Sequence, residues 1–262
     1  STAKKEKELL SKGTMIRKKF NVIFCKALLI CFFAVVIVGG CSAFGVISGI
    51  IASAPSIEDI DATPTGYLTT VLDNQGNQTA TLVASGSNRK YVTIDEIPIN
   101  LQHAFVAIED ERFYQHNGID IMGILRAGVT AVKTGFKRQE GASTITQQLI
   151  KNTVLTTWTQ EKTLGERIKR KVQEQYLAIQ LEKDTNDKSK ILEQYMNTIN
   201  LGQNTLGVQA ASKRYFNKNV WELSLSECAT IAGITQNPSR FNPLSENGRK
   251  RNEEKRRVIL QY

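Results

Sequence analysis

The chain opens on a polar, charge-rich stretch and then changes abruptly. Ala27 to Ile51 is a run of twenty-five residues without a charge, ALLICFFAVVIVGGCSAFGVISGII. As a helix rising about 1.5 Å per residue, it exceeds the roughly 30 Å hydrocarbon core of a bilayer, and it predicts a single transmembrane helix. Residues 52–66 carry Pro55 and Pro64 among Ser and Thr with little periodicity, which reads as a linker. Beyond it, β-branched runs flank the turn-forming cluster Asp73-Asn74-Gln75-Gly76-Asn77, so a small hairpin is expected. After Pro98 the spacing becomes helical. Leu101, Phe105 and Ile108 lie at i, i+4 and i+7, and Ile168, Val172, Tyr176 and Ile179 repeat that stripe. Most of residues 98–245 is therefore expected to be α-helical. Ser224-Leu225-Ser226-Glu227 fits a capping box that opens a helix through CATIAGITQ, and Asn237-Pro238 ends it. Residues 246–262 are charged and helix-compatible.

Charge changes this picture through its location. The formal net charge of +9 invites a nucleic-acid reading, but residues 1–19 hold seven lysines and arginines against two glutamates. Residues 246–262 hold six against three, and the body between is nearly neutral. A duplex-binding domain spreads its positive charge over a folded face, so no nucleic-acid partner is expected; a basic tail beside an apolar run suits anionic membrane lipids. Glu58, Asp59 and Asp61 follow the run, so the positive-inside rule puts residues 1–26 in the cytoplasm and everything after about residue 52 outside. The alternative is a cleaved signal peptide with Ala52-Ser53-Ala54 as its small-residue site. The apolar run is longer than the usual core of about 7 to 15 residues, which favours a retained anchor. Of four cysteines, Cys25, Cys31 and Cys41 fall in the apolar stretch and Cys228 stands alone, so there is no spaced disulfide framework and no metal-ligand cluster. At 262 residues there is room for one sizeable domain and a smaller appendage.

Three constellations could carry chemistry. In Glu109-Asp110-Glu111-Arg112-Phe113-Tyr114-Gln115-His116-Asn117-Gly118, a continuous helix would set Glu109, Phe113 and His116 on one face. A carboxylate beside an aromatic wall suits a general base, with His116 or Arg112 to orient it; a solvated acidic helix end is the plain alternative. In Gly141 to Asn152, a flexible entry leads into a helix whose stripe of Thr144, Gln148, Lys151 and Asn152 offers amides and an ammonium, suited to sugar hydroxyls and a nearby phosphate. In Arg167 to Glu174, Arg170 and Glu174 lie one turn apart, opposite the Ile168/Val172 stripe. Such a cationic run could hold a diphosphate, or be an ordinary surface ion pair.

Together these segments, from about Tyr67 to Arg257, resemble the family 51 peptidoglycan glycosyltransferases, the transglycosylase domain of class A penicillin-binding proteins. Five sequence blocks match in order. They are Glu109 to Asp120; Gly141 to Asn152; Arg170 to Glu174 with Leu181-Glu182; Lys190 to Asn197 continuing through Gly202 to Ala211; and Leu225 to Gly233 with Asn237-Pro238 and Asn242-Pro243. Ala142 replaces a glycine of its block, and Asn200 stands where the family usually has tyrosine. The segment before Arg170 is longer than the family leads one to expect, so the positions of Lys162 and Arg167 are insecure.

The resemblance implies a mainly α, lysozyme-like glycosyltransferase domain over residues 67–245. A basic helix, 246–262, would lead on toward a transpeptidase domain. It implies polymerisation of lipid II into β-1,4-linked glycan with inversion and release of the lipid pyrophosphate. Glu109 and Glu174 would be catalytic, and Asp110, Phe113, His116, Thr144, Gln148, Lys151, Asn152 and Arg170 would contact substrate. No cofactor is required by the sequence, although Mg²⁺ or Mn²⁺ could ride on the diphosphate. Partners would be lipid II, the growing glycan, membrane lipids and cell-wall synthesis proteins, and the phosphoglycolipid moenomycin would inhibit. A lysozyme-like hydrolase and a non-catalytic cell-wall scaffold are the rival readings.

Overall fold

The computed structural model describes residues 2–56, 69–82, 89–135 and 141–262. It divides into two compact units, residues 1–53 and 54–262. The first unit is one helix, α1, Thr2–Ala52. Within it Ile23–Ala52 is long and apolar enough to cross a membrane, with a mean hydropathy of 2.6 and none of it buried. The helix runs through the basic tail as well as the apolar run, because the tail's Lys, Glu and Leu favour helix and no proline interrupts it. The linker expected over residues 52–66 lies mostly outside the described residues.

The second unit is mainly helical. It begins with the expected hairpin, β1 (Thr69–Leu72) antiparallel to β2 (Gln78–Leu82). Asp73 makes the turn: its Oδ1 accepts from the backbone N–H of Gln75 and of Asn77, both at 2.8 Å. Gly76 supplies the positive φ of 85°. The helices are α2 (Ile99–Glu109), α3 (Ile121–Lys133), α4 (Ile145–Thr153), α5 (Leu164–Thr185), α6 (Lys188–Thr198), α7 (Val208–Phe216), α8 (Leu225–Ala232) and α9 (Glu246–Ile259). Helix α4 packs on α5 and α6, and α2 packs on α8 and α9. Leu101, Phe105, Ile145, Leu149, Leu177, Leu192, Tyr195 and Ile231 are fully enclosed at the centre. Apolar area removed from water stabilises this arrangement by about 25 cal/mol per Å².

Two expectations are corrected. The α5 stripe Ile168/Val172/Tyr176/Ile179 does mark a helix, but not its inward face: Ile168 and Ile179 are exposed, and Gln173, Glu174, Leu177, Ala178 and Leu181 are buried. The inward face carries carboxylates because cations reach them there, which offsets the cost of burying charge. Helix α8 has its Ser224/Glu227 capping box but ends at Ala232, four residues short of Gln236. The chain then continues as turns. The helix expected over residues 246–262 forms as α9, and it buries Gly248, Asn252 and Ile259 within the second unit. Asn252 there donates to the carbonyls of Thr230 and Phe241, both at 3.1 Å.

Helix α3 differs from the rest. Ile121, Met122, Leu125, Val129 and Val132 are all more than half exposed, and Gly123 is its one buried residue.

Candidate active site

Helix α2 stops at Glu109 because Asp110 leaves helical geometry, at φ −160° and ψ 71°. The expected single helical face through Glu109, Phe113 and His116 is therefore not formed. Asp110 turns inward instead. Its oxygens lie 2.9 and 3.0 Å from His116 Nε2, and Oδ2 also accepts from the backbone N–H of Ile145 at 3.0 Å. That N–H is one of the unpaired donors at the start of α4, where a carboxylate is also favoured by the helix dipole. Asp110 thus fastens the end of α2 to the beginning of α4.

The rest of this segment is support. Phe113 is fully buried, edge to face with His116, and Lys188 Nζ lies 4.4 Å from its ring centroid. It presents no surface to a substrate. Arg112 does not orient Glu109; it forks onto Asp120, with Nη2 to Oδ2 at 2.6 Å. Gly118 has φ 87°, and a Cβ there would lie 2.6 Å from the Ala178 backbone, so the loop can approach α5 only as glycine.

Thr144 lines the Glu109 cleft and also holds the fold together there. It caps α4 by accepting from Gln147 N–H, and its hydroxyl donates to the Gly118 carbonyl at 2.7 Å. With the cap fixed, one turn brings Gln148 onto Glu109. Gln148 Nε2 donates to Glu109 Oε2 at 2.8 Å, and the buried Tyr195 hydroxyl donates to Gln148 Oε1 at 3.4 Å. The tyrosine decides which end of the amide faces the carboxylate. Burial, together with Glu109 and Asp110, pushes the Tyr195 phenol well above its ordinary value and keeps it a donor. The other carboxylate oxygen, Oε1, accepts from the Thr235 hydroxyl, contributed by the turn after α8.

One turn beyond Gln148 stands Lys151, half-buried, 4.8 Å above the Trp158 ring. Burial lowers its pKa from the ordinary 10.5; Glu174 opposes that, Lys171 and Arg170 add to it, and Glu109 opposes it less strongly. Lys151 therefore senses both carboxylates. Asn152 beside it is also half-buried. Glu174, with a side chain 1% exposed, is gripped from two sides: Arg170 Nη1 donates to Oε2 and Lys171 Nζ to Oε1, each at 2.6 Å. Lys171 also donates to Ser143 Oγ at 2.8 Å, and Arg170 Nε is paired with Glu161 at 2.6 Å. Lys162 and Arg167 are exposed.

Two clefts open here. One, of about 320 Å³, is lined by Glu109, Asp110, Glu111, Asp120, Arg126 and Gly141 to Thr144 among others. The second, of about 350 Å³, is lined by Glu161, Glu166, Lys169, Arg170 and Gln173 among others. Across the network between them, a carboxylate held by neutral donors stands beside three cations and a second, neutralised carboxylate. The first can take a proton; the cations can meet a developing anion.

Thr235, Lys171, Glu161 and Lys255 were missing from the residues singled out in the sequence. Lys171 had a signal, the basic run from Arg167 to Lys171. Lys255, on α9, has its pKa lowered by burial against the pull of Glu109, and its Nζ donates to Gln236 Oε1 at 2.6 Å. Ala142 does not adopt positive φ, so its loss of glycine costs no strain. Asn200 makes a turn by accepting from Gly202 N–H at 2.9 Å.

No group of three or more His, Cys, Asp and Glu among the described residues is arranged to hold a metal ion. Glu174, with both oxygens already on cations, is a poor ligand, so this donor set does not suit a resident metal.

A family model described as transglycosylase matches residues 75–262. Penicillin-binding protein 1A of Clostridium botulinum (strain Langeland) is 43% identical over 237 residues, which are 89% of this chain and 28% of that protein. Penicillin-binding protein 1A/1B of Bacillus subtilis (strain 168) is 38% identical over 247 residues, 93% of this chain and 25% of that protein. The chain thus spans about a quarter of the length of these curated relatives. A crystal structure of penicillin-binding protein 1A from Haemophilus influenzae aligns with 76% of this chain and 18% of its own, at 24% identity and a TM-score of 0.38.

Proposed function

The chain belongs to the transglycosylase family, and from that premise we propose that it is a peptidoglycan glycosyltransferase that polymerises lipid II into β-1,4-linked glycan. The observation that carries this reading is that Glu109, held by the neutral donors Gln148 and Thr235, acts on the charge of Lys151, as does Glu174, which holds Arg170 and Lys171. Glu109 takes the proton of the acceptor sugar's 4-hydroxyl. The oxygen attacks the donor's anomeric carbon from the opposite face, the bond to the diphosphate breaks, and configuration inverts. The cations offset the charge that the leaving diphosphate gains, and such preorganised charge is commonly the largest catalytic contribution. Hydrolysis of a neutral glycan would need no such cation set. Glu174 acts by holding Arg170 and Lys171 in place. A divalent cation, where one takes part, arrives on the substrate diphosphate.

In the same reading α1 anchors the protein in the membrane, its N-terminus is cytoplasmic, and residues after about 52 lie outside. The exposed apolar residues of α3 suit lipid contact near a lipid-linked substrate. Gln148, Lys151, Asn152 and Arg170 are the substrate contacts, Asp110 and Thr144 line the same cleft as Glu109, and Phe113 and His116 shape the site from behind. Moenomycin inhibits by competing for it, and cell-wall synthesis proteins are the partners.

Polymerisation of labelled lipid II by the detergent-solubilised chain, beside Glu109→Gln, with products separated by length, tests this. Long glycan from the unmodified chain and none from the variant is the expected result. Shortening of pre-made glycan would establish a hydrolase instead, and equal activity in both proteins would remove Glu109 from the mechanism.

A further inference from the structure

We infer that Thr235 is a positioning residue for Glu109: its hydroxyl donates to the ionised carboxylate and turns to the Ala232 carbonyl once Glu109 has taken a proton. This deepens, and rests on, the assignment of Glu109 as the base. Thr235 lies 126 residues from Glu109 in the chain, outside every segment singled out for chemistry, yet its Oγ1 donates to Glu109 Oε1. The same oxygen lies 3.0 Å from the carbonyl of Ala232. A hydroxyl has one proton, so it can donate to one of these acceptors at a time.

The backbone is built for that choice. Helix α8 ends at Ala232 rather than continuing to Gln236, and the turn after it carries Thr235 toward α2. A bond from a threonine hydroxyl to the carbonyl three residues before it is common at helix ends and on its own means nothing more than local satisfaction. The second acceptor, a carboxylate on another helix, is what sets this threonine apart.

The ionised carboxylate is the stronger acceptor and holds the proton before reaction. Gln148 occupies Oε2 and Thr235 occupies Oε1, so the carboxylate cannot rotate, while each oxygen keeps a further lone-pair direction for the incoming sugar hydroxyl. When the sugar proton moves to Glu109, the new carboxylic acid needs a donor less. The Thr235 proton swings to Ala232 and the hydroxyl oxygen can then accept. No bond to Thr235 forms or breaks. The other groups near Glu109 cannot make this adjustment: Lys151 and Lys255 act through charge, Asp110 is committed to His116 and Ile145, and the Tyr195 hydroxyl is spent on Gln148.

Removing the hydroxyl takes away a donor that the ionised carboxylate uses and the protonated one does not. The test is the pH dependence of kcat/KM for lipid II polymerisation by the full chain, comparing Thr235→Val and Thr235→Ser with the unmodified protein. The acidic limb is expected to move up by about half to one pH unit in Thr235→Val and to return with Thr235→Ser. An unmoved limb with a uniform loss of rate would reduce Thr235 to a structural role. Isotope-edited infrared titration of the Glu109 carboxylate in the same proteins, with Thr235→Ala as a further variant, reads the same shift without turnover. An unchanged midpoint there overturns the inference. A shifted midpoint in a protein that makes no glycan keeps the contact and overturns the assigned reaction.

Discussion

Glu109 is half-buried at the edge of a cleft and Glu174 is fully buried, and although both act on the charge of Lys151 their surroundings are opposite. Glu109 receives an amide and a hydroxyl, both neutral, while the cations Lys151 and Lys255 act on it from further off. Glu174 receives a guanidinium and an ammonium directly, at 2.6 Å each. The neutral donors hold Glu109 in place and leave lone-pair directions open to a sugar hydroxyl, whereas both oxygens of Glu174 are taken by contacting cations. Family resemblance alone groups the two as catalytic. The contacts differ in the way the proposed roles require, Glu109 as the base and Glu174 as the clamp on Arg170 and Lys171.

The largest effect that bears on this contrast is Glu109→Gln. It should lower polymerisation by a factor of about 10³ or more, within the range of lost general-base catalysis, while the thermal midpoint hardly moves. Glu174→Gln should cost less activity, about 10²-fold, but should cost stability. Removing one partner of a buried ion pair destabilises by about 3 kcal/mol, read by chemical denaturation. If the two variants behaved alike in denaturant, the distinction would be lost.

Lys151 gives the next effect. Its ammonium is depressed below 10.5 chiefly by burial, so the charge is present at low pH and lost as pH rises through that lowered value. The rate should therefore fall on the alkaline side at a pH below that of an ordinary lysine. Lys151→Arg, which stays charged, should flatten the fall, as a pH–rate profile will tell. The smallest effect is at Glu161. Its carboxylate occupies Arg170 Nε, where a diphosphate oxygen would also bind. Glu161→Gln should lower the KM for lipid II by about two- to fivefold, the scale of one partly exposed ion pair, with kcat little changed. A raised KM would mean that Glu161 serves substrate binding rather than competing with it.

Local signals in the chain made the hairpin, the α8 cap and the α1 run legible, because Asp73 to Asn77, Ser224 to Glu227 and the uncharged stretch each act over a few residues. The block from Gly141 to Asn152 led to Gln148 and Lys151 for the same reason. Other features had no local cue. Asp110 breaks α2 because its side chain is needed by His116 and by α4, both beyond the helix itself. Apolar spacing alone points to Ile168 and Ile179 as the inward face of α5, whereas Arg170 and Lys171 allow Glu174 to be the buried residue. Thr235 reaches Glu109 only once the chain has closed on itself, and periodicity carries no record of such a contact.

The bonds from Thr144 to Gly118 and from Asp110 to Ile145 have a consequence for how the sequence can drift. They pin Gly118 to Thr144 and Asp110 to Ile145, so the placement of Gln148 and Lys151 is set by these contacts rather than by the length of chain that carries α3 between them. Loss of one residue between Thr144 and Lys151 has no such shelter: it turns the ammonium about 100° around the α4 axis, away from both carboxylates. Among descendants of this chain, insertions and deletions should therefore accumulate on the α3 side of the pins and be nearly absent from the two turns of α4 that follow.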